Sequence, residues 1–177
     1  TAYEIYQCDW SSDVCSSDLG RRERPRLLRG LRPDAPPMSF VGLISDTHNL
    51  LRPEALEALR GASLILHAGD VGRPEILDEL ARIAPVHAVF GNTDYGEVRD
   101  RLPETAAITV ADGVRLYMIH ILDDLDLDPA AGGFAGVIYG HTHEPKVERR
   151  GGVWYVNPGS AGPRRFDLPV TVARLHP

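Results

Sequence analysis

The chain has 177 residues, a formal net charge of −6 and 43% hydrophobic residues, enough for one domain with a substantial core. Because affinity for nucleic acid comes mainly from Lys and Arg neutralising phosphates, this acidic balance argues against nucleic acid as a partner. Both cysteines, Cys8 and Cys15, lie near the N-terminus, which leaves the rest without disulfides or thiolate zinc sites. No apolar run approaches the roughly 20 residues that cross a bilayer. We expect a cytoplasmic protein with no membrane partner.

The N-terminal part differs in character from the rest. Asp9–Leu19 matches what one reading frame of a common sequencing adapter would encode, and we predict that residues 1–19 are a disordered artefact. Residues 20–37 are rich in Arg and Pro, have no apolar period and are expected to lie outside the fold; a basic arm that binds nucleic acid or an anionic membrane is the alternative. Met38 begins an apolar run, so the expected domain covers residues 38–177.

Strands and helices alternate in the first half of this domain. Phe40–Ser45, Leu64–His67 and Val86–Phe90 are short apolar runs typical of buried strands. Pro53–Leu59, with proline in its first turn, and Pro74–Ile83, with an apolar stripe, predict helices between them. This β-α-β-α-β order predicts a parallel sheet with right-handed crossovers and helices on its face.

The second half changes to a pattern of hairpins. Glycine-containing turns join Ala106–Val110 to Val114–Met118, and Lys146–Arg149 to Val153–Val156. A last strand is expected at Val170–Leu175. These elements predict a second, more antiparallel sheet that faces the first one.

A short polar cluster follows each of five predicted strands. The clusters are Asp46-Thr47-His48, Gly69-Asp70, Gly91-Asn92-Thr93-Asp94, His120 and Gly140-His141-Thr142-His143. Ligands of open α/β sheets bind beyond the carboxyl ends of the strands, so we expect one shared site. Within two clusters, donors at alternate positions are expected to point the same way, as in an extended segment. The glycines would let the backbone approach the site closely.

Seven side chains in these clusters can bind a metal ion through oxygen or nitrogen. They are Asp46, His48, Asp70, Asn92, His120, His141 and His143. One cation cannot use seven protein ligands and keep positions open for chemistry, whereas two cations that share a carboxylate can. Two ions roughly 3.5–4 Å apart can clamp a phosphate and activate a bridging hydroxide for in-line attack. Imidazole with carboxylate suits Mn²⁺, which we expect, or Ni²⁺, Fe²⁺, Zn²⁺ or Co²⁺, rather than Ca²⁺.

The ordered motifs D-x-H, G-D, G-N-x-D, H and G-H-T-H resemble those of the calcineurin-like metallophosphoesterases, specifically the small bacterial phosphodiesterases. The resemblance spans nearly all of Met38–Pro177 and includes the turn Asn157–Ser160. It implies a four-layer α/β/β/α sandwich of two facing mixed sheets and the hydrolysis of a phosphodiester or a monoester. By position it implies two metal sites: Asp46, His48 and His143 at one, Asn92, His120 and His141 at the other, and Asp70 bridging.

Two departures from the family pattern bear on substrate binding. Larger phosphatases carry a histidine after the asparagine, where this chain has Thr93-Asp94, so no general acid is evident. We expect Asp70, Asn92 and Asp94 as catalytic residues, with Asp94 orienting His48 or a metal-bound water. The family often reads H-G-H where this chain has His120-Ile121-Leu122, which changes the expected substrate contacts.

The expected substrate is a small phosphoester, and a homo-oligomer is left open. A non-catalytic protein-binding scaffold of the same fold, which the retromer subunit resembles, is the alternative, but it predicts eroded ligands that this chain does not show. A nuclease is disfavoured by the acidic domain. The acidic run at Asp123, Asp124, Asp126 and Asp128 is either a solvated face or a barrier to polyanions. Arg164 and Arg165 either contact a phosphate or lie in a solvated loop.

Overall fold

The computed structural model describes residues 2–7 and 40–176, with side chains described for 40–176. Within these residues, ten strands form two five-stranded sheets that both mix parallel and antiparallel neighbours. The first sheet contains β1 (Ala2–Gln7), β2 (Phe40–Ile44), β3 (Ala62–His67), β4 (Val86–Ala88) and β10 (Thr171–His176). The second contains β5 (Thr105–Thr109), β6 (Arg115–Ile119), β7 (Gly136–Ile138), β8 (Lys146–Arg150) and β9 (Val153–Asn157).

The first sheet has the strand order β1-β10-β2-β3-β4. Strands β2, β3 and β4 run parallel, as predicted, because helices α1 (Pro53–Leu59) and α2 (Glu75–Ala81) carry the chain back between them. The carboxyl ends of parallel strands lie at one edge of a sheet. The residues that follow β2, β3 and β4 therefore share this edge.

The second sheet has the order β5-β6-β7-β9-β8. The predicted hairpins β5–β6 and β8–β9 are confirmed, but β6, β7 and β9 at the centre are parallel. The long connection from β6 to β7 returns the chain to the edge at which β6 begins, so that β7 runs parallel to β6. The turn signals alone did not predict this crossover. A short helix, α3 (Glu97–Arg101), was also not predicted, because five residues are too few to show a helical period.

Alternate residues of β2 contribute to two different cores. Val41 and Leu43 pack against Met118 and Ile138 of the second sheet, so this core lies between the sheets. Ile44 packs on the opposite face, against the buried sides of α1 and α2. Burial of one such aliphatic side chain is worth about 1.5–3 kcal/mol, and the two cores together fix the first sheet from both sides.

The outer face of the second sheet is also covered. Tyr117, Val137 and Tyr139 pack there with Phe134 and the partly buried Leu122. The covering segment contains a short 3-10 helix, Leu122–Asp124, so this outer layer is thinner than the helical layer on the first sheet. The α/β sandwich of two facing mixed sheets is confirmed.

The described residues bear on the N-terminal expectations only at Ala2–Gln7. Ala2–Gln7 pair with β10 as an antiparallel edge strand, where the sequence predicts disorder. The free edge of β10 offers backbone donors and acceptors to any extended segment, which explains pairing without a matching side-chain pattern. Residues 8–39 lie outside the described residues, so the adapter origin of 1–19 and the position of 20–37 stay predictions. Among the described helices, none has the length and apolarity that a membrane span requires.

Candidate metal centre

All seven predicted ligands lie on loops at adjacent ends of the two sheets. Asp46 and His48 follow β2, Asp70 follows β3 and Asn92 lies beyond β4. The loop after β2 is tied to the loop after β3, because the amide of His48 donates to the carbonyl of Asp70 at 2.9 Å. The two sheets are joined at the site as well, since the amide of His141 donates to Asp46 Oδ2 at 3.2 Å.

Three donor atoms converge in what we call the first donor set, which consists of Asp46, His48 and His143. His143 Nε2 lies 3.3 Å from Asp46 Oδ1 and 3.2 Å from His48 Nε2. His48 Nε2 is 3.8 Å from the same carboxylate oxygen. Asp46 Oδ1 is buried and has no hydrogen-bond partner within the described part of the chain. A buried, unpaired carboxylate oxygen facing two imidazole nitrogens fits a cation.

The second donor set consists of Asn92, His120 and His141. Asn92 Oδ1 lies 3.1 Å from His120 Nε2 and 3.0 Å from His141 Nδ1. His120 Nδ1 is 2.7 Å from the carbonyl of Ala68. A carbonyl only accepts hydrogen bonds, so Nδ1 carries the proton and Nε2 is the nitrogen that faces the site.

Asp70 lies between the two donor sets. Its Oδ2 is 3.6 Å from His48 Nε2 and 3.4 Å from His120 Nε2. Asp46 is also shared, because Asp46, Asp70 and His120 present donor atoms within 4.8 Å of one another. Two carboxylates thus lie among four imidazoles, a donor set suited to divalent transition metals.

The electrostatics of the site keep Asp70 ionised. Burial alone would raise the pKa of Asp70, but the hydrogen bond and charge of His120, with the amide of Thr93, hold it well below its usual range. Burial lowers the pKa of His120, yet its contact with Asp70 and the charge of Asp46 outweigh burial and raise that pKa. The pKa of His48 is lowered, chiefly by burial.

The backbone of the ligands is left-handed rather than extended, which corrects one expectation. Eight non-glycine residues have positive φ in the described part, and five of them are predicted ligands: Asp46, His48, Asp70, His141 and His143. The chain turns sharply at these residues, so strand alternation does not decide where the donors point. Asp46 and His48 still meet in the first donor set. His141 and His143 belong to different donor sets.

Asp94 does not orient His48, and the expectation for this residue is wrong in that respect. Its fully buried carboxylate accepts hydrogen bonds from the amides of Val71 at 3.1 Å, Gly72 at 2.7 Å and Gly91 at 2.8 Å. It therefore ties the loop after Asp70 to the loop that carries Asn92. Two of the three amides belong to Gly72 and Gly91, where the two loops meet.

Several supporting residues were not predicted. Thr93 Oγ1, rather than Asp94, lies 3.4 Å from His48 Nδ1. Ser45 Oγ donates to Asp46 Oδ2 at 2.6 Å, and Asn157 Nδ2 donates to the carbonyl of Gly140 at 2.8 Å. Adjacency to a motif was the only signal for Ser45 and Thr93, and Asn157 was noted only for its turn.

Close packing at Gly91 agrees with the expected role of that glycine. A Cβ there would overlap the carboxylate of Asp70.

His67 is a fully buried core residue whose Nε2 lies 3.0 Å from Thr47 Oγ1, so it supports the segment between Asp46 and His48.

A cleft of about 450 Å³ opens beside the second donor set. Asn92 and His120 line it together with Asp124 and Asp126 of the acidic run. At least part of that acidic run therefore faces the site. Arg165 reaches the opposite side of the centre, where its Nη2 lies 3.4 Å from His48 Nε2.

Comparison with known proteins agrees with this geometry. A probable metallophosphoesterase of Methanothermobacter thermautotrophicus is 39% identical over 149 residues, covering 77% of this chain and 86% of the relative. An archaeal phosphodiesterase structure is 26% identical with a TM-score of 0.59 and covers 69% of this chain and 84% of that one. Vps29 of Entamoeba histolytica, complexed with Zn²⁺, is 25% identical with a TM-score of 0.60, covering 73% and 78%.

The family model described as the calcineurin-like phosphoesterase superfamily domain matches residues 39–177. This span contains both sheets from β2 onward and every residue of the two donor sets. The chain belongs to the calcineurin-like phosphoesterase superfamily.

Proposed function

We propose that the chain is a metal-dependent phosphodiesterase that binds two divalent ions, one at each donor set, and that phosphomonoesters are its second class of substrate. One observation carries the proposal. Asp70 Oδ2 lies within 3.6 Å of His48 Nε2 and 3.4 Å of His120 Nε2, one from each donor set. A carboxylate in this position can serve both ions at once.

The donor atoms fit divalent metal ions. The unpaired Asp46 Oδ1 and the close approach of His48 Nε2 to His143 Nε2, at 3.2 Å, leave lone pairs directed at one point. Mn²⁺ is our first choice, and Ni²⁺, Fe²⁺, Zn²⁺ and Co²⁺ also accept this chemistry. When bound, such ions supply Lewis acidity toward a phosphate and toward an attacking water.

Asp70, Asn92 and Asp94 have different roles in the proposed reaction. Asp70 stays ionised through its contacts with His120 and Thr93, so it offers full negative charge between the donor sets at neutral pH. Asn92 contributes an uncharged oxygen and lies exposed at the mouth of the cleft, where a substrate can reach it. Asp94 acts as a positioning residue for the loops of Asp70 and Asn92.

The cleft supports a small diester as substrate. Its volume of about 450 Å³ falls within the range of small-molecule pockets and leaves room for an ester group beside the phosphate. Its wall carries Glu104, Asp124 and Asp126 against one cation, Arg99, and this acidic balance disfavours a polyanion such as nucleic acid. The similarity to an archaeal phosphodiesterase supports the same class.

A protein-binding scaffold of the same fold is the alternative, and the structural similarity to Vps29 is the observation that favours it. The complete ligand set favours the enzyme, because a scaffold has no need for seven converging donors. Retained ligands and a lack of turnover together would favour the scaffold.

The test is hydrolysis of bis(p-nitrophenyl) phosphate by the full chain with and without Mn²⁺. Asp70→Asn removes the shared charge at constant size, and Asp78→Asn, on the exposed face of α2, is the matched control. We expect a loss of more than about 100-fold for Asp70→Asn, beyond the upper range for residues that only support ligands. Equal rates in the two variants, or no turnover by the metal-loaded chain, would overturn the proposal.

A further inference from the structure

Arg165 lies at the first donor set although it is not among the predicted ligands. Its Nη2 is 3.4 Å from His48 Nε2, the nitrogen that also faces Asp46 and Asp70. A guanidinium has five donors, no acceptor and no free lone pair, so it cannot ligate a cation. When His48 Nε2 gives its lone pair to a metal ion, Arg165 loses this acceptor and needs another within reach.

The backbone that leads to Arg165 is fixed to the site. The amide of Ala161 donates to the carbonyl of Ser45 at 3.0 Å, and Arg52 Nε donates to the carbonyl of Gly162 at 3.1 Å. A Cβ at Gly162 would overlap the carbonyl oxygen of Thr47. The loop is therefore anchored to the same segment that carries Asp46 and His48, and this anchoring directs Arg165 toward the donor sets.

Arg165 has no acidic partner among the described residues. Arg60, Arg101 and Arg150 each pair with a glutamate, whereas no carboxylate lies within 4 Å of the Arg165 guanidinium in the described part of the chain. An unpaired cation beside two cation sites raises the local positive charge. Such an arrangement favours an anion that all three cations can share.

We propose that Arg165 binds a non-bridging oxygen of the substrate phosphate. The inference rests on the proposed function, since it needs a phosphate at the donor sets. Arginine pairs with phosphate through two parallel N–H donors, a geometry that lysine cannot reproduce. Because the contact is to the phosphate and not to an ester group, Arg165 contributes affinity for phosphoesters as a class.

If Arg165 binds phosphate, its removal should affect Mn²⁺ affinity differently from phosphate affinity. Removing a positive charge next to His48 leaves Mn²⁺ affinity unchanged or increases it, because like charges repel. A residue that only held the loop would, on removal, weaken Mn²⁺ and phosphate binding together. The two affinities therefore separate phosphate binding from a structural role.

The experiment measures binding of inorganic phosphate to the Mn²⁺-loaded full chain by isothermal titration calorimetry. The variants are Arg165→Ala, Arg165→Lys and, as matched control, Arg164→Ala, which removes the neighbouring exposed arginine. For Arg165→Ala we expect phosphate affinity to fall about 10- to 100-fold, the range for a hydrogen bond to a charged group. Arg165→Lys recovers part of this loss, and Arg164→Ala changes affinity less than about twofold, as surface substitutions do.

KM and kcat with bis(p-nitrophenyl) phosphate provide a second readout, in which Arg165→Ala raises KM more than it lowers kcat. Phosphate affinity in Arg165→Ala equal to that in Arg164→Ala, with hydrolysis intact in the wild type, would overturn the inference and leave the function standing. A parallel loss of Mn²⁺ affinity would assign Arg165 to the structure of the loop instead. A wild type that neither binds phosphate nor hydrolyses the diester would overturn both proposals.

Discussion

The two donor sets share Asp70 but differ in their exposure to solvent. In the first set Asp46 is 0% and His143 5% exposed, whereas in the second set Asn92 and His141 are exposed and only His120 is buried. Water can replace a lost ion at exposed donors, but it reaches buried ones poorly. We therefore expect the first set to hold its ion more tightly and the second to exchange ligands with water and substrate.

The buried residues that hold the loops of the two donor sets also differ in chemistry. Asp94, a buried carboxylate bound by three amides, supports the loops of Asp70 and Asn92. His67, a buried imidazole, supports Thr47 and with it the segment between Asp46 and His48. A buried carboxylate and a buried imidazole respond differently to substitution and to pH. Changes at Asp94 and at His67 therefore allow each donor set to be perturbed separately.

The largest effect should distinguish the two histidines of the last cluster. His143→Ala removes a buried donor, and we expect loss of the first ion and a fall in activity of more than about 100-fold. His141→Ala removes an exposed donor, and we expect one ion retained and a smaller fall. Metal content after dialysis and kcat for the diester check this, with His87→Ala as an exposed control. Equal metal content in the two variants would break the comparison.

A smaller effect is expected from the support beneath the second set. Asp94→Asn replaces one carboxylate oxygen by an NH₂ group, which cannot accept from a backbone amide. We expect a loss of about 1–3 kcal/mol in the free energy of unfolding, as for one buried unsatisfied polar group.

Denaturant unfolding measures this loss, and Mn²⁺ titration should show the weaker site affected more than the tighter one. Asp100→Asn, on the exposed face of α3, is the control. Weakening of the first ion alone would contradict the assignment of Asp94 to the second set.

The smallest effect is a pH dependence that arises beneath the first set. Burial lowers the pKa of His67 to about 4, and the charge of Asp94 offsets this only in part. The unfolded chain therefore takes up this proton near pH 6.5 while the folded chain does not, so stability falls as pH drops from about 6.5 toward 4. Between pH 7 and 5.5 we expect His67 to contribute a loss of about 1 kcal/mol.

His67→Gln keeps a polar group near Thr47 and removes the titration. Unfolding of wild type and variant with a chelator present isolates this contribution, because the other histidines titrate in both proteins. Parallel pH profiles of the two proteins would contradict the prediction.

Most strands, and the polar residues that come together at their ends, could be predicted from the sequence. Apolar runs predicted β2, β3 and both hairpins, and the ordered polar clusters predicted seven residues that do converge. These signals are local, and the rule that ligands gather at strand ends turns them into a site.

The contacts made by individual donors could not be predicted in the same way. The extended geometry expected for residues 46–48 and 141–143 failed, because single left-handed residues leave no periodic signal in a sequence. Asp94 was expected to orient His48 or a metal-bound water, but two of the amides it binds belong to Val71 and Gly72, which are more than twenty positions away in the chain. Arg165 reaches the site from a loop that Ala161 and Gly162 anchor to the segment after β2, a contact between distant parts of the chain.

The left-handed ligands have a consequence for the ion-free chain. Each such residue costs about 1 kcal/mol against a relaxed conformation, and five of them surround one centre. The strain of these residues opposes folding of the centre, whereas bound cations would stabilise it. Ion binding therefore adds to the free energy of unfolding. An ion at about one hundred times its dissociation constant adds about 2.7 kcal/mol to stability. The order in which metals raise the melting temperature therefore ranks them for this protein, before its natural substrate is known.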